Sequence, residues 1–317
     1  MTNKFRNYPP TAGPSYYGGF SFFLRRFRGS LFLPEIPPGH VLPEEKAIAL
    51  LNLLKKENTL TWLGQSTFLI RLEGKTILTD PFLTERAGPV TWGGPRRFVP
   101  PGISLKKLPA IDIIIVSHNH YDHLDKATVE NLPGKEKIHV VVPLGLKIFF
   151  TRRGYTDIRE LGWGENASVD NIQINSLPAV HFSGRGIDDR NKTLWCSWAI
   201  SSSSGRYYFA GDTAYSSTIF QNIGREFKSF DLAIIPIGAY EPQEMMKAFH
   251  ATPEEAVKIG TDAGAKVMVG SHWGTIELSD EPHWEPPRRF EEHAAKIGIP
   301  REQIWIMKIG ETRILPY

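Results

Sequence analysis

Along residues 59–317, short apolar runs alternate with turn residues and with stretches of helical period. TLTWLGQSTFLIRLEGKTILTDP carries two apolar runs about Glu73-Gly74-Lys75 and predicts a β-hairpin ending at Asp80-Pro81. Ile111 and residues 113–116 predict a buried strand, followed by a helix over KATVENL, a strand over HVVVP and a helix over LGLKIFFTRRG. NIQINSLPAV predicts a strand ending at His181. LWCSWAISSSSGRYYFAGDT predicts a second hairpin that turns in its Ser/Gly run and ends at Asp212, and DLAIIPIG another buried strand. Thr252-Pro253-Glu254-Glu255 combines an N-cap, a proline at the first helical position and a capping-box glutamate, so a helix runs to about Ala265. KVMVGSHWG is a strand delivering His272, EPPRRFEEHAAKIGI a last helix, and QIWIMKIGETRIL a last strand or pair. Hairpins followed by alternating strands and helices predict an α/β fold, with helices outside two packed sheets.

The N-terminal part reads differently. EEKAIALLNLLKK predicts a short helix over residues 44–56, but residues 1–40 lack any period and are broken repeatedly by Pro and Gly. They hold nine aromatic residues, and five basic residues against the single acid Glu35, a charge of +4 that leaves the remainder of a +3 chain near −1. The expected division is an arm and short helix over 1–58 and a catalytic domain over 59–317. An Arg-rich aromatic arm either meets anionic headgroups at a membrane surface or packs its rings on the domain. Residues 82–105 form a long Gly/Pro loop of the kind that is often functional.

Composition narrows the chemistry. In 317 residues, 41% of them hydrophobic, there is ample material for a core. The single cysteine, Cys196, excludes an intrachain disulfide and any multi-thiolate metal cage, and points to a reducing compartment. No stretch approaches the roughly 20 apolar residues that cross a bilayer, so a cytoplasmic, soluble or peripheral protein is expected. The near-neutral main domain argues against a nucleic-acid partner.

Behind the strand at 113–116, the chain places His118, His120, Asp122 and His123 within six residues. Imidazole nitrogen and carboxylate oxygen are ligands that Zn²⁺ accepts. Alone, His181 after a strand would read as structural and Asp212 as a helix cap. Their order after the cluster, with His272 at a further strand end, makes seven ligands, which suit two metals: His118, His120 and His181 for one, Asp122, His123 and His272 for the other, Asp212 bridging. A pair of ions that lowers the pKa of water makes a hydrolase the expected class. Asp80 is expected to orient a ligating histidine.

HNHYDH with later His, Asp and His resembles the metallo-β-lactamase fold superfamily, which implies an αββα sandwich with a dinuclear site at its edge. The finer pattern is similar to the N-acylphosphatidylethanolamine-hydrolysing phospholipase D family: GPRRF at 94–98, SHNHYDHLD at 117–125, VPLGL at 142–146, LWCSWA at 194–199, FAGDT at 209–213, FDLAIIPIGAYEP at 230–242, HATPEEAV at 250–257 and HWGT at 272–275. The resemblance implies two Zn²⁺ per chain and hydrolysis of a membrane phospholipid to N-acylethanolamine and phosphatidic acid. It also places a functional histidine at His250, which with Asp122 and Asp212 completes the candidate catalytic set. One departure is Gln65 in WLGQST, where relatives usually carry His. Acyl chains would need an apolar trough, for which the arm and the 82–105 loop offer Phe20, Phe22, Phe23, Phe27, Trp92 and Phe98. Membrane phospholipid is thus the expected partner, with a peripheral membrane surface, no nucleic acid, and homodimerisation left open. Competing expectations are another hydrolase of the superfamily, acting on a different phosphodiester or a lactone, and a metal-binding protein without turnover.

Overall fold

The computed structural model describes residues 4–10, 33–90, 92–186 and 188–317. Phe20, Phe22, Phe23 and Phe27 lie outside the described residues. Strands β1 (Thr59–Gly64), β2 (Thr67–Leu72) and β3 (Lys75–Thr79) form an antiparallel meander. Strands β4 (Ile113–Ile115), β5 (His139–Pro143) and β6 (Asp157–Leu161) then add to β3 in parallel. The expected hairpin is therefore three strands. Its second reversal is the Glu73-Gly74 turn, and its first falls at Gln65-Ser66, where Gln65 adopts φ 53° without the Asn-Gly or Gly-Gly signal that marks such turns.

A second sheet repeats the plan. Strands β7 (Asn166–Val169), β8 (Ile172–Leu177), β9 (Ser197–Ser202) and β10 (Gly205–Phe209) pair antiparallel, and β11 (Leu232–Pro236), β12 (Met268–Ser271) and β13 (Ile304–Trp305) follow in parallel. The last predicted strand is a pair: β13 closes the second sheet and β14 (Thr312–Ile314) edges the first, beside β1.

Alternation along β4 shows how the layers are held. Ile113 and Ile115 enter the core between the sheets with Trp62, Phe68 and Trp198, whereas Ile114 faces the other way into a core with Leu69, Leu78, Val140 and Phe150. That outer core is roofed by α1 (Glu44–Leu53), through Ala47 and Leu51, with α2 (Lys126–Asn131) and α3 (Lys147–Thr151) on the crossovers between parallel strands. On the far side, α4 (Ser217–Phe227), a turn of helix α5 (Gln243–Met246), α6 (Pro253–Ala263) and α7 (Glu285–Lys296) connect β10 to β13. The result is the expected αββα sandwich. The capping box at Thr252 forms as predicted, with its side chain accepting from Glu255 N and Glu255 returning to Thr252 N. The helix predicted over 144–154 shrinks to α3 because Gly145 sits in a turn at φ 94°.

Candidate metal centre

Parallel strands of both sheets end at one edge of the sandwich, and the loops leaving β4, β8, β10 and β12 meet there. His118 Nε2 lies 2.9 Å from His120 Nδ1, and His181 Nε2 lies 3.3 Å from the same atom. Nitrogens held about 2.0–2.1 Å from a tetrahedral Zn²⁺ are roughly 3.3 Å apart, so these three imidazoles have the mutual spacing of ligands to one ion. Their tautomers agree. His181 Nδ1 is 2.9 Å from the carbonyl of Phe249, which only accepts, so that nitrogen carries the proton and Nε2 keeps a lone pair.

The second group gathers on Asp212. Its Oδ2 lies 3.1 Å from His123 Nε2 and 3.2 Å from His272 Nε2, and these nitrogens are 3.3 and 3.2 Å from Asp122 Oδ2. The same Asp212 oxygen is 3.8 Å from His181 Nε2 and 4.0 Å from His118 Nε2. One carboxylate oxygen thus faces both groups, the position a bridging ligand takes. Gly211, at φ 59°, makes this approach possible, since a Cβ there would stand 2.4 Å from Ser117 Cβ.

Behind the ligands sits Asp80, fully buried at the end of β3. It accepts from Ser117 N and Ser117 Oγ at 2.6 Å each, and stands 2.6 Å from His123 Nδ1. Ser117 spends its only proton on Asp80, so the 2.9 Å contact with His118 Nδ1 must run from the imidazole to the hydroxyl, again leaving Nε2 unprotonated. One carboxylate therefore orients a histidine in each group, directly for His123 and through Ser117 for His118. The sequence reading missed Ser117, which carried no signal beyond its place beside His118.

Burial shapes the charges. It drives His118 and His181 well below the usual imidazole range and His120 down to about 4, so all three are neutral ligands at neutral pH. Burial pushes Asp122 and Asp212 up, but the nearby His123 and His272 outweigh it and hold both carboxylates well below their ordinary range. His123 Nε2 and Asp212 Oδ1 are buried without a hydrogen bond among the described residues. Burial pulls His123 and His272 down, but the same two carboxylates outweigh it and raise both, so without an ion these imidazoles keep protons that a metal would displace. Three neutral imidazoles, two ionised carboxylates and buried atoms without a hydrogen bond fit divalent cations. Cys196 is no ligand: its Sγ lies 3.6 Å from Ser117 O, and burial pushes the thiol well up.

His250 lies just before α6, with Nδ1 3.9 Å from Asp212 Oδ2 and no hydrogen bond of its own. Its ligand atom stands within 4.8 Å of those of His181 and Asp212. Asn119 and Tyr121, which read as spacers in sequence, anchor Gly184 and Arg185: Gly184 N donates to Asn119 Oδ1 at 2.8 Å and Tyr121 Oη to Arg185 O at 2.7 Å. The chain's start also reaches the centre. Asn7 Nδ2 donates to His181 O at 3.1 Å, and Asn7 Oδ1 accepts from His181 N and from Trp195 Nε1. A lone asparagine in an aperiodic arm carries no sequence signal for such a role.

Among the apolar candidates, Trp92 is 80% exposed beside a groove of about 550 Å³ that also involves Val90, Arg86 and Lys126. Phe98 corrects the expectation of an exposed trough residue. It is 6% exposed, edge-on to His283 and Trp284, because the loop folds back through Phe98 N to Thr275 O and through the buried Arg97, which donates to the carbonyls of Phe82 and Leu63.

Residues 75–273 match the Beta-lactamase superfamily domain. The chain is 41% identical over 238 residues to N-acyl-phosphatidylethanolamine-hydrolyzing phospholipase D 1 of Caenorhabditis elegans, a match covering 72% of this chain and 67% of that protein. It is 37% identical over 258 residues to the mitochondrial N-acyl-phosphatidylethanolamine-hydrolyzing phospholipase D of Saccharomyces cerevisiae, covering 80% of this chain and 55% of the yeast protein. Among solved structures, Igni18, a metallo hydrolase from Ignicoccus hospitalis, has the same fold, with a TM-score of 0.60 at 22% identity over 82% of this chain and 99% of that one.

Proposed function

The chain belongs to the N-acylphosphatidylethanolamine-hydrolysing phospholipase D family of the β-lactamase superfamily and is a metal-dependent hydrolase; from that premise we propose that it uses two zinc ions to hydrolyse N-acylphosphatidylethanolamine to N-acylethanolamine and phosphatidic acid. The observation that carries this reading is the convergence of both ligand groups on the single oxygen Asp212 Oδ2. His118, His120 and His181 would hold one ion, Asp122, His123 and His272 the other, with Asp212 between them. Two such ions supply positive charge for the anionic phosphodiester and acidify water toward neutrality.

The chain's own groups do the rest. Asp80 fixes His118 and His123 so that their Nε2 lone pairs face inward. His250, buried just before α6 with an unpartnered Nδ1 3.9 Å from Asp212 Oδ2, is placed to accept a proton from water and to return it to the departing ethanolamide oxygen. Among the described residues, no helix is long and apolar enough to cross a membrane. Exposed Trp92 and Val90, with Arg86 and Lys126 beside them, support contact with a phospholipid surface.

The deciding experiment is incubation of purified, zinc-loaded protein with N-acylphosphatidylethanolamine and, separately, a generic phosphodiester, followed by product identification. Release of N-acylethanolamine is expected; cleavage of the generic ester alone would replace this reading with a different phosphodiesterase of the superfamily.

A further inference from the structure

Gln65 sits in the turn between β1 and β2, 1% exposed, with a left-handed backbone at φ 53°. Such a conformation is unfavourable for a residue with a side chain, and here hydrogen bonds on every side hold it. Gln65 N donates to Thr275 Oγ1 at 2.9 Å, while Gln65 O accepts from Trp62 Nε1 at 2.9 Å and from His272 N at 3.2 Å. The side chain then reaches across the site, with Nε2 donating to Asp122 Oδ2 at 3.0 Å. One residue thus grips two members of the second ligand group, His272 through its backbone and Asp122 through its amide.

The contact on Asp122 is distinctive. Oδ2 is approached by three nitrogens, those of Gln65, His123 and His272. The two imidazoles surrender their protons when they ligate a metal, whereas the amide N–H remains a donor in every state. A buried carboxylate rotates about its last torsion unless something fixes it, and Gln65 is the fixed donor.

We propose that Gln65 is a positioning residue for the second metal site, whose amide locks the orientation of Asp122 and thereby sets the affinity of the Asp122–His123–His272 group for its ion without affecting the His118–His120–His181 group. The proposal rests on the two-ion part of the proposed function and not on the lipid substrate, so it is tested by metal binding and not by turnover.

Metal-stripped wild type, Gln65→Leu and Gln65→His are titrated with Zn²⁺ by calorimetry and with Co²⁺ by visible absorption. All three are side-chain-bearing residues at φ 53°, so backbone strain is common to them and cancels. The leucine variant, which fills the space without a donor, is expected to bind one ion as wild type does and the other about 10- to 100-fold more weakly, with a changed Co²⁺ spectrum for that ion alone. The histidine variant, which restores an N–H, is expected to recover most of the loss. Unchanged binding of both ions by the leucine variant would overturn the proposal. So would equal weakening of both ions, or histidine no better than leucine, since either result marks a packing role. If wild type takes up a single ion, the two-ion reading fails separately, and Asp122→Ala then locates that ion: where Asp122→Ala abolishes its binding, weakening by the leucine variant supports the proposal and unchanged binding overturns it, and where Asp122→Ala leaves it bound, the proposal is overturned for want of a second site.

Discussion

His250 stands outside both ligand groups yet 3.9 Å from the oxygen they share, close enough to act on a reacting group and also close enough to count as a ligand with His181 and Asp212. The two roles separate on substitution. As a proton carrier it can be removed without loss of metal, because the seven remaining groups keep their mutual spacing; as a ligand it cannot. His250→Ala is therefore expected to lower turnover about 10²-fold or more while zinc content, measured by atomic emission on dialysed protein, stays at the wild-type value. Zinc lost with activity would make His250 a ligand, and unchanged turnover would leave it a packing residue. Residue chemistry was largely legible in sequence at this centre because ligand types are few and their order behind strands is informative. Asn7 and Ser117 were not legible, since each acts through one hydrogen-bond geometry that any surface asparagine or serine is equally able to make.

Between elements, α6 and α7 are joined by a charged clamp. Arg289 reaches both oxygens of Glu254, at 2.8 and 2.7 Å, and also Glu285 at 3.0 Å, with its guanidinium over the Tyr240 ring. Burial raises the Glu254 pKa, but the bidentate arginine more than compensates and holds it below the ordinary 4.5. A carboxylate depressed in the folded state stabilises above its unfolded pKa and loses that contribution as pH falls through the folded value. Arg289→Met is thus expected to cost about 1 kcal/mol at pH 7, the pair being partly open to solvent, with the melting difference from wild type shrinking as pH falls below the ordinary carboxylate value of 4.5; a difference independent of pH would show that the arginine acts by packing alone. Elements with long apolar runs or a capping box were legible from the chain, and these include β4, β5, β11 and α6. Strands β6 and β7 are not legible from the chain, because DIREL buries only Ile158 and Leu161 and NASV only Ala167 and Val169, too few positions to separate a strand from a loop. The exposure of Phe98 was misjudged for a related reason: a Gly/Pro loop gives no periodicity from which to tell a ring lying over the core from one facing water.

At the scale of the whole molecule, the two ligand groups do not belong to one sheet each. His118, His120, Asp122 and His123 follow β4 of the first sheet, while His181, Asp212 and His272 follow β8, β10 and β12 of the second. Each proposed ion draws ligands from both, so metal ties the sandwich across its open edge where the apolar core between the sheets gives way to buried polar groups. Without ions, Asp122 and Asp212 face each other across His123 and His272 with only imidazole protons to offset their charge. Binding to the folded state alone stabilises by mass action, about 4 kcal/mol for an ion at a thousand times its Kd. For a chain of 317 residues that amounts to a melting shift of about 6 °C per ion. Chelation is expected to lower the melting temperature by that amount, and Zn²⁺ to restore it, with protection from hydrogen exchange lost first in the loops after β4, β10 and β12. A melting temperature indifferent to chelator would mean that the sheets hold the ligands without help, and that the metal serves chemistry only.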